Sequence, residues 1–165
     1  MNLPPWTKRP FEIAYLLNPA FCALLIRDGA LGYQQDTQDG LPFSLSFLLL
    51  PIALHESTRN KLPFRVTTKL HAWLGETPEV KVGFAERARG LVPYTKEALT
   101  FGLQKQSFKL TDNGHVIPTP GIKQPATWKN DLEIVACLRA ARFIGRWFAQ
   151  VGDPGTIYYM WGVQP

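Results

Sequence analysis

The residues that could do chemistry are few, and their spacing does not favour it. His55, His71 and His115 lie far apart, none at i,i+4 with a second ligand type, and Cys22 and Cys137 are solitary. A zinc site needs such side chains clustered at short spacing. Gly29-Ala30-Leu31-Gly32 lacks the third glycine of a dinucleotide loop, and no Gly-Lys-Ser/Thr is present to cradle phosphates. No Gly-x-Ser-x-Gly elbow frames Ser44, Ser46, Ser57 or Ser107. Asp36 and Asp39 read as solvated loop residues rather than as an acid and a base. His55, closing an apolar run, reads as a cap or an interface residue. The sequence therefore offers no catalytic residue, no metal ligand and no cofactor site, and the chain is read as a non-enzyme.

What it offers instead is charge. Residues 59–109 hold ten Lys and Arg against four acids, while the rest of the chain is close to neutral. A polyanion or an acidic protein is the physical expectation for such a stretch, with a merely solvated face as the plain alternative. Lys81, Arg87, Arg89, Lys96, Lys105 and Lys109 are the candidate DNA contacts. Glu97 shares their element, and no Arg or Asn cluster is present to read base edges. Any DNA contact is thus expected at the backbone, and docking to protein instead stands equally open.

The elements that must position these residues follow from periodicity and punctuation. A first helix starts near Pro10 and breaks at Asn18-Pro19; a second runs from Ala20 to about Asp28 and stops at Gly29. Phe43 to His55 reads as a helix apolar nearly all round, with Pro51 as a kink, so it is central in the core or covered by another chain. A short helix ends at Leu74. Thr77-Pro78-Glu79 starts a helix that stops near Gly90, and Pro93-Tyr94-Thr95 starts another. Ser107–Thr111, the Asp112-Asn113-Gly114 turn and His115–Pro118 read as a hairpin. Helix, turn, helix, hairpin is the order of a winged helix-turn-helix. The longest helix covers about Trp128 to Val151, and Thr156–Val163 reads as a final, aromatic strand.

The fold class predicted is α+β: mainly helical, with a winged-helix-like module and a small β-sheet. Residues 1–75 form a helical region and 76–165 the winged-helix-like region, together one compact domain, which suits 165 residues at 45% hydrophobic content. Leu45–Leu54 is too short to span a bilayer, and Met1–Trp6 lacks the layout of a signal peptide. Both cysteines are expected reduced in the core of a cytoplasmic protein. Ten Phe, five Trp and five Tyr exceed what a small core needs. Phe11, Asn18, Phe21, Tyr159 and Trp161, near the two chain ends, are therefore assigned to a partner surface, with Tyr159 and Trp161 on one face of the final strand; that strand completing the protein's own sheet is the equally open alternative.

Three segments carry a resemblance. They are Arg9 to Leu25, with its Leu16-Leu17-Asn18-Pro19-Ala20-Phe21 core; Phe84-Ala85-Glu86-Arg87 through Asn113-Gly114-His115-Val116-Ile117; and the ending Tyr158-Tyr159-Met160-Trp161-Gly162-Val163-Gln164-Pro165. Together they resemble the middle component of three-component ABC-ATPase systems, the small subunit of Lamassu-type prokaryotic defence operons. The resemblance implies a non-catalytic subunit. It would associate with an SMC-like ABC ATPase and a nuclease-type effector, act against phages or plasmids, and meet double-stranded DNA through the complex. A stand-alone winged-helix transcriptional regulator is the alternative, expecting a homodimer and a helix dense in base-reading residues. An antitoxin-like or immunity-like binding protein is compatible with the composition.

Overall fold

The computed structural model describes residues 3–164. Met1 and Asn2, and Pro165 of the terminal Gly-Val-x-Pro, lie outside them. Eight α-helices run in chain order: α1 (Phe11–Leu16), α2 (Pro19–Asp36), α3 (Ser46–Ala53), α4 (Glu56–Arg59), α5 (Leu70–Glu76), α6 (Phe84–Gln104), α7 (Leu132–Val151) and α8 (Pro154–Trp161). Three short strands accompany them: β1 (Leu41–Pro42), β2 (Phe108–Leu110) and β3 (His115–Pro118). The chain is mainly helical with a three-stranded antiparallel sheet, as the α+β reading expects.

Helix α2 is the spine. Asn18 caps it, its side-chain oxygen accepting from Ala20 N at 2.8 Å and Phe21 N at 3.4 Å, with Pro19 preset at the first helical position. The predicted stop at Gly29 does not occur, and α2 continues to Asp36. Gly29 and Gly32 are the points where other elements come closest: a Cβ on Gly29 would meet Leu49, and one on Gly32 the Arg142 carbonyl. There the gain in packing outweighs the roughly 1 kcal/mol that glycine costs in a helix. α2 lies against α7, α6 and α3. Residues 11–36 are long and apolar enough in composition to cross a membrane, but half of their most apolar 18-residue stretch is buried inside this core and Asn18 interrupts the helix. α3 is buried at every position except Phe47, so its all-round apolar character is satisfied by its own chain.

The helix-turn-helix expected over 77–103 is not formed. Residues 78–81 make only a 3-10 turn, and α6 then runs unbroken through Gly90 and Pro93. Proline costs about 3 kcal/mol inside a helix. Against that, Phe84, Ala88, Thr95, Ala98 and Gly102 form one buried stripe facing α2 and α3. Cutting the helix at Gly90 would divide that stripe, and most helix stability comes from such a face. The hairpin is present, with Lys109 opposite Ile117 and Leu110 opposite Val116, and β1 adds a third strand along β3.

The predicted terminal strand is a helix, α8. Asp153 caps it, accepting from Thr156 N at 2.7 Å, Pro154 follows the cap, and Gly162 closes the helix at φ 69°. Capping thus overrides the aromatic, strand-like composition. It also changes which side chains share a face. Ile157, Tyr158 and Trp161 turn inward and Tyr159 outward, rather than Tyr159 and Trp161 together. Trp161 enters an aromatic cluster with Phe84, Trp73, Trp147 and Phe143.

Candidate partner and nucleic-acid surfaces

Helix α1 is apolar, yet none of its residues is buried. Phe11 is 81% exposed, and its ring stacks on that of Tyr15 at 6.3 Å. Leu16 is also exposed. Polar ties hold this segment to the body. Just before α1, the Arg9 guanidinium, with its side chain only 4% exposed, grips both oxygens of Glu97 at 2.7 Å. It lies over the Trp6 and Tyr94 rings, and its Nε donates to the Pro4 carbonyl. At the far end Tyr15 reaches Asp131 at 3.3 Å. Beneath α1, Leu16, Phe21, Trp128 and Ile134 line a cleft of about 740 Å³.

A bidentate arginine–carboxylate pair of this kind is a strong and directional contact. Arg9→Ala is expected to loosen α1 alone, at a cost of about 1 kcal/mol, since Glu97 remains partly hydrated. Hydrogen exchange should rise over residues 11–16 and stay unchanged in α2 and α7. Unchanged exchange in α1 would show that the latch does not hold it.

The six candidate DNA contacts are dispersed. Lys81 precedes α6, Lys105 follows it, and Lys109 is on β2, so a helix roughly 30 Å long separates the ends. Arg89 and Lys96 are exposed on α6, two turns apart on one stripe. Arg87 is committed elsewhere: it donates to the Val82 and Val80 carbonyls and lies over the Phe84 ring. Glu97, which shares α6, is neutralised by Arg9.

Of the predicted partner residues, Phe11 and Tyr159 are on the surface. Asn18 is the α2 cap, and Phe21 is buried edge-on to Trp128. Trp161 is 1% exposed, so it is a core residue and not a free anchor. His55 caps α4, accepting from Thr58 N, and burial with nearby Arg87 and Arg59 lowers its pKa, which keeps the ring a neutral acceptor. Burial pushes the Cys22 thiol up to about 12 and Cys137 to about 11, so both stay protonated and unreactive. Among the described residues no group of three His, Cys, Asp or Glu is placed to hold a metal ion. The sequence reading missed Arg9 as a latch; nothing local predicts a partner 88 residues away.

What these surfaces offer is exposed apolar and basic contact area. The family model for middle component 3 of ABC-three component (ABC-3C) systems matches residues 6–165, and the chain belongs to that family. It is thus an accessory component of a multi-component ABC system and has protein partners there. Neither the curated proteins nor the solved structures include a match.

Proposed function

We propose that the chain is the non-catalytic subunit that docks an SMC-like ABC ATPase in a cytoplasmic, Lamassu-type complex acting against phages or plasmids. A nuclease-type effector is the third component, and DNA is met at the backbone through the complex. One observation carries the docking: α1 presents Phe11, Tyr15 and Leu16 outside the core while polar ties fix it in place. Exposed aromatics on a pre-ordered element are what interface hot spots are made of, and pre-ordering lowers the entropy lost on binding. The DNA role rests on Lys81, Arg89, Lys96, Lys105 and Lys109. With α6 unbroken, a recognition helix of the winged type has no support, so contacts to phosphate along α6 are the reading kept.

Phe11→Ala, which leaves the Arg9–Glu97 and Tyr15–Asp131 ties intact, is expected to leave the melting temperature nearly unchanged. It should weaken co-purification with the ABC ATPase component of the proposed complex by about 2 kcal/mol, roughly thirtyfold. Retention equal to the wild type would remove α1 as the interface. For DNA, Arg89→Gln with Lys96→Gln should lower the salt dependence of duplex binding by about two counterions, whatever the sequence of the duplex.

A further inference from the structure

Among the described residues one large apolar side chain is fully exposed: Phe64, on the loop between α4 and α5. A phenyl ring free in solvent gains nothing from the fold, and a floppy loop would let it collapse onto the nearest apolar surface. This loop is not floppy. Two buried tryptophans hold its ends from within the core: Trp73 donates its indole N–H to the Lys61 carbonyl at 2.9 Å, and Trp147 donates to the Thr68 carbonyl at 2.7 Å. Leu62 and Val66, on either side of Phe64, pack against the core. A turn from Thr68 N to the Arg65 carbonyl tightens the segment. The loop is pinned at both ends and along its length, and Phe64 is what it holds out.

The charges on the loop and on the turn tied to it bear on what Phe64 can meet. Arg65, Lys69 and Lys81 are exposed and make no ion pair among the described residues. Lys61 pairs with Glu79 at 2.7 Å, which brings the 78–81 turn, with Lys81 and the exposed Val82, beside the loop. That pairing neutralises Glu79; the other acids of these elements are Glu56, at the start of α4, and Glu76, at the far end of α5. A rigidly held aromatic ring flanked by unpaired cations matches a ligand that carries flat faces and regular negative charge, which is a nucleic-acid strand. Unpaired bases present those faces freely, whereas a duplex must first be unstacked at a cost of a few kcal/mol.

We propose that the loop Lys61–Lys69 is a binding site for single-stranded nucleic acid, with Phe64 stacking on a base and Arg65, Lys69 and Lys81 meeting phosphates. The site shares Lys81 with the residues assigned to duplex backbone but none of the α6 stripe of Arg89 and Lys96, so variants of Phe64, Arg65 and Lys69 test it without touching that stripe.

The test is fluorescence anisotropy of the whole chain with a labelled oligothymidylate, and with a duplex for comparison, across a salt series. Phe64→Ala is expected to weaken single-strand binding about tenfold with the salt slope unchanged. Phe64→Tyr should keep most of the affinity and Phe64→Leu should not, because stacking needs a ring face rather than apolar bulk. Arg65→Gln with Lys69→Gln should instead flatten the salt slope by about 1.4. The proposal fails if the wild type does not bind the single strand at low salt, if Phe64→Ala binds it as well as the wild type does, or if Phe64→Leu matches Phe64→Tyr. It also fails if Phe64→Ala weakens only duplex binding or only retention of the ATPase; the latter outcome would make the loop a protein contact. Arg89→Gln with Lys96→Gln reports on the α6 reading alone, so the two can fail separately.

Discussion

Trp161→Ala is expected to cost about 4 kcal/mol of stability, a large share of what a domain of this size possesses. The indole is 1% exposed and lies on the Phe84 ring, with centroids 4.3 Å apart. Trp73 meets it edge-on at 6.1 Å, and Trp73 in turn packs on Trp147 at 5.1 Å. Truncation would leave a cavity walled by rigid rings on α5 and α6, which cannot collapse inward without moving both helices. The same two tryptophans, Trp73 and Trp147, hold the Lys61–Lys69 loop, so loosening the cluster should loosen the loop as well. Trp161→Phe should cost far less, about 1 kcal/mol. The Trp161 indole N–H is buried without a hydrogen-bond partner among the described residues, and phenylalanine removes that unpaired donor while keeping most of the ring. Urea melts would measure both, with near-ultraviolet dichroism reporting the cluster directly. If Trp161→Ala melts like the wild type, α8 is not packed as described and Trp161 returns as a candidate partner anchor.

Where local chemistry decides an element, the sequence is legible. Asn18-Pro19 starts α2, Asp112-Asn113-Gly114 turns the hairpin, and Pro51 sits inside an apolar helix, all as the residues predict. Where distant packing decides, it is not. Gly90 and Pro93 carry strong stop signals, but the buried stripe from Phe84 to Gly102 keeps α6 in one piece. Gly29 looks like a terminus and serves as a point of close approach between helices. At α8 the opposite error arises, since Asp153-Pro154 is a readable helix start that the run of aromatics obscures. The surfaces divide in the same way. Phe11 is exposed, whereas Trp161 is buried, because a chain end rich in aromatics can be tied down by its own core. Phe64 gave no sign in the sequence: a lone phenylalanine between Pro63 and Arg65 belongs to no motif, and its exposure follows from how the loop around it is pinned.

Gly145→Ala is expected to be still more damaging per atom added. A Cβ at Gly145 would fall on the Gly29 carbonyl oxygen, 2.8 Å from the Gly29 carbonyl carbon and 3.0 Å from Tyr33 N. All three are backbone atoms of α2, so no rotamer change relieves the overlap, and α2 and α7 must move apart along the whole seam. That seam is the centre of the core and carries the Asp28–Arg142 and Asp36–Arg146 pairs at its edge. Overpacking of this kind costs about 3 kcal/mol or more, enough to bring a domain near its unfolding threshold. Gly32→Ala should act alike, since its Cβ would meet the Arg142 carbonyl. Because both substitutions separate the same two helices, the double variant should lose clearly less than the sum of the singles. Gly90→Ala is the control: an added Cβ there meets nothing within 4 Å. On the exposed side of α6 it should stabilise by about 0.5–1 kcal/mol through lower backbone entropy in the unfolded chain. Strict additivity of Gly32→Ala and Gly145→Ala would mean that the two contacts yield independently, by local bending, and that α2 and α7 do not behave as one rigid spine.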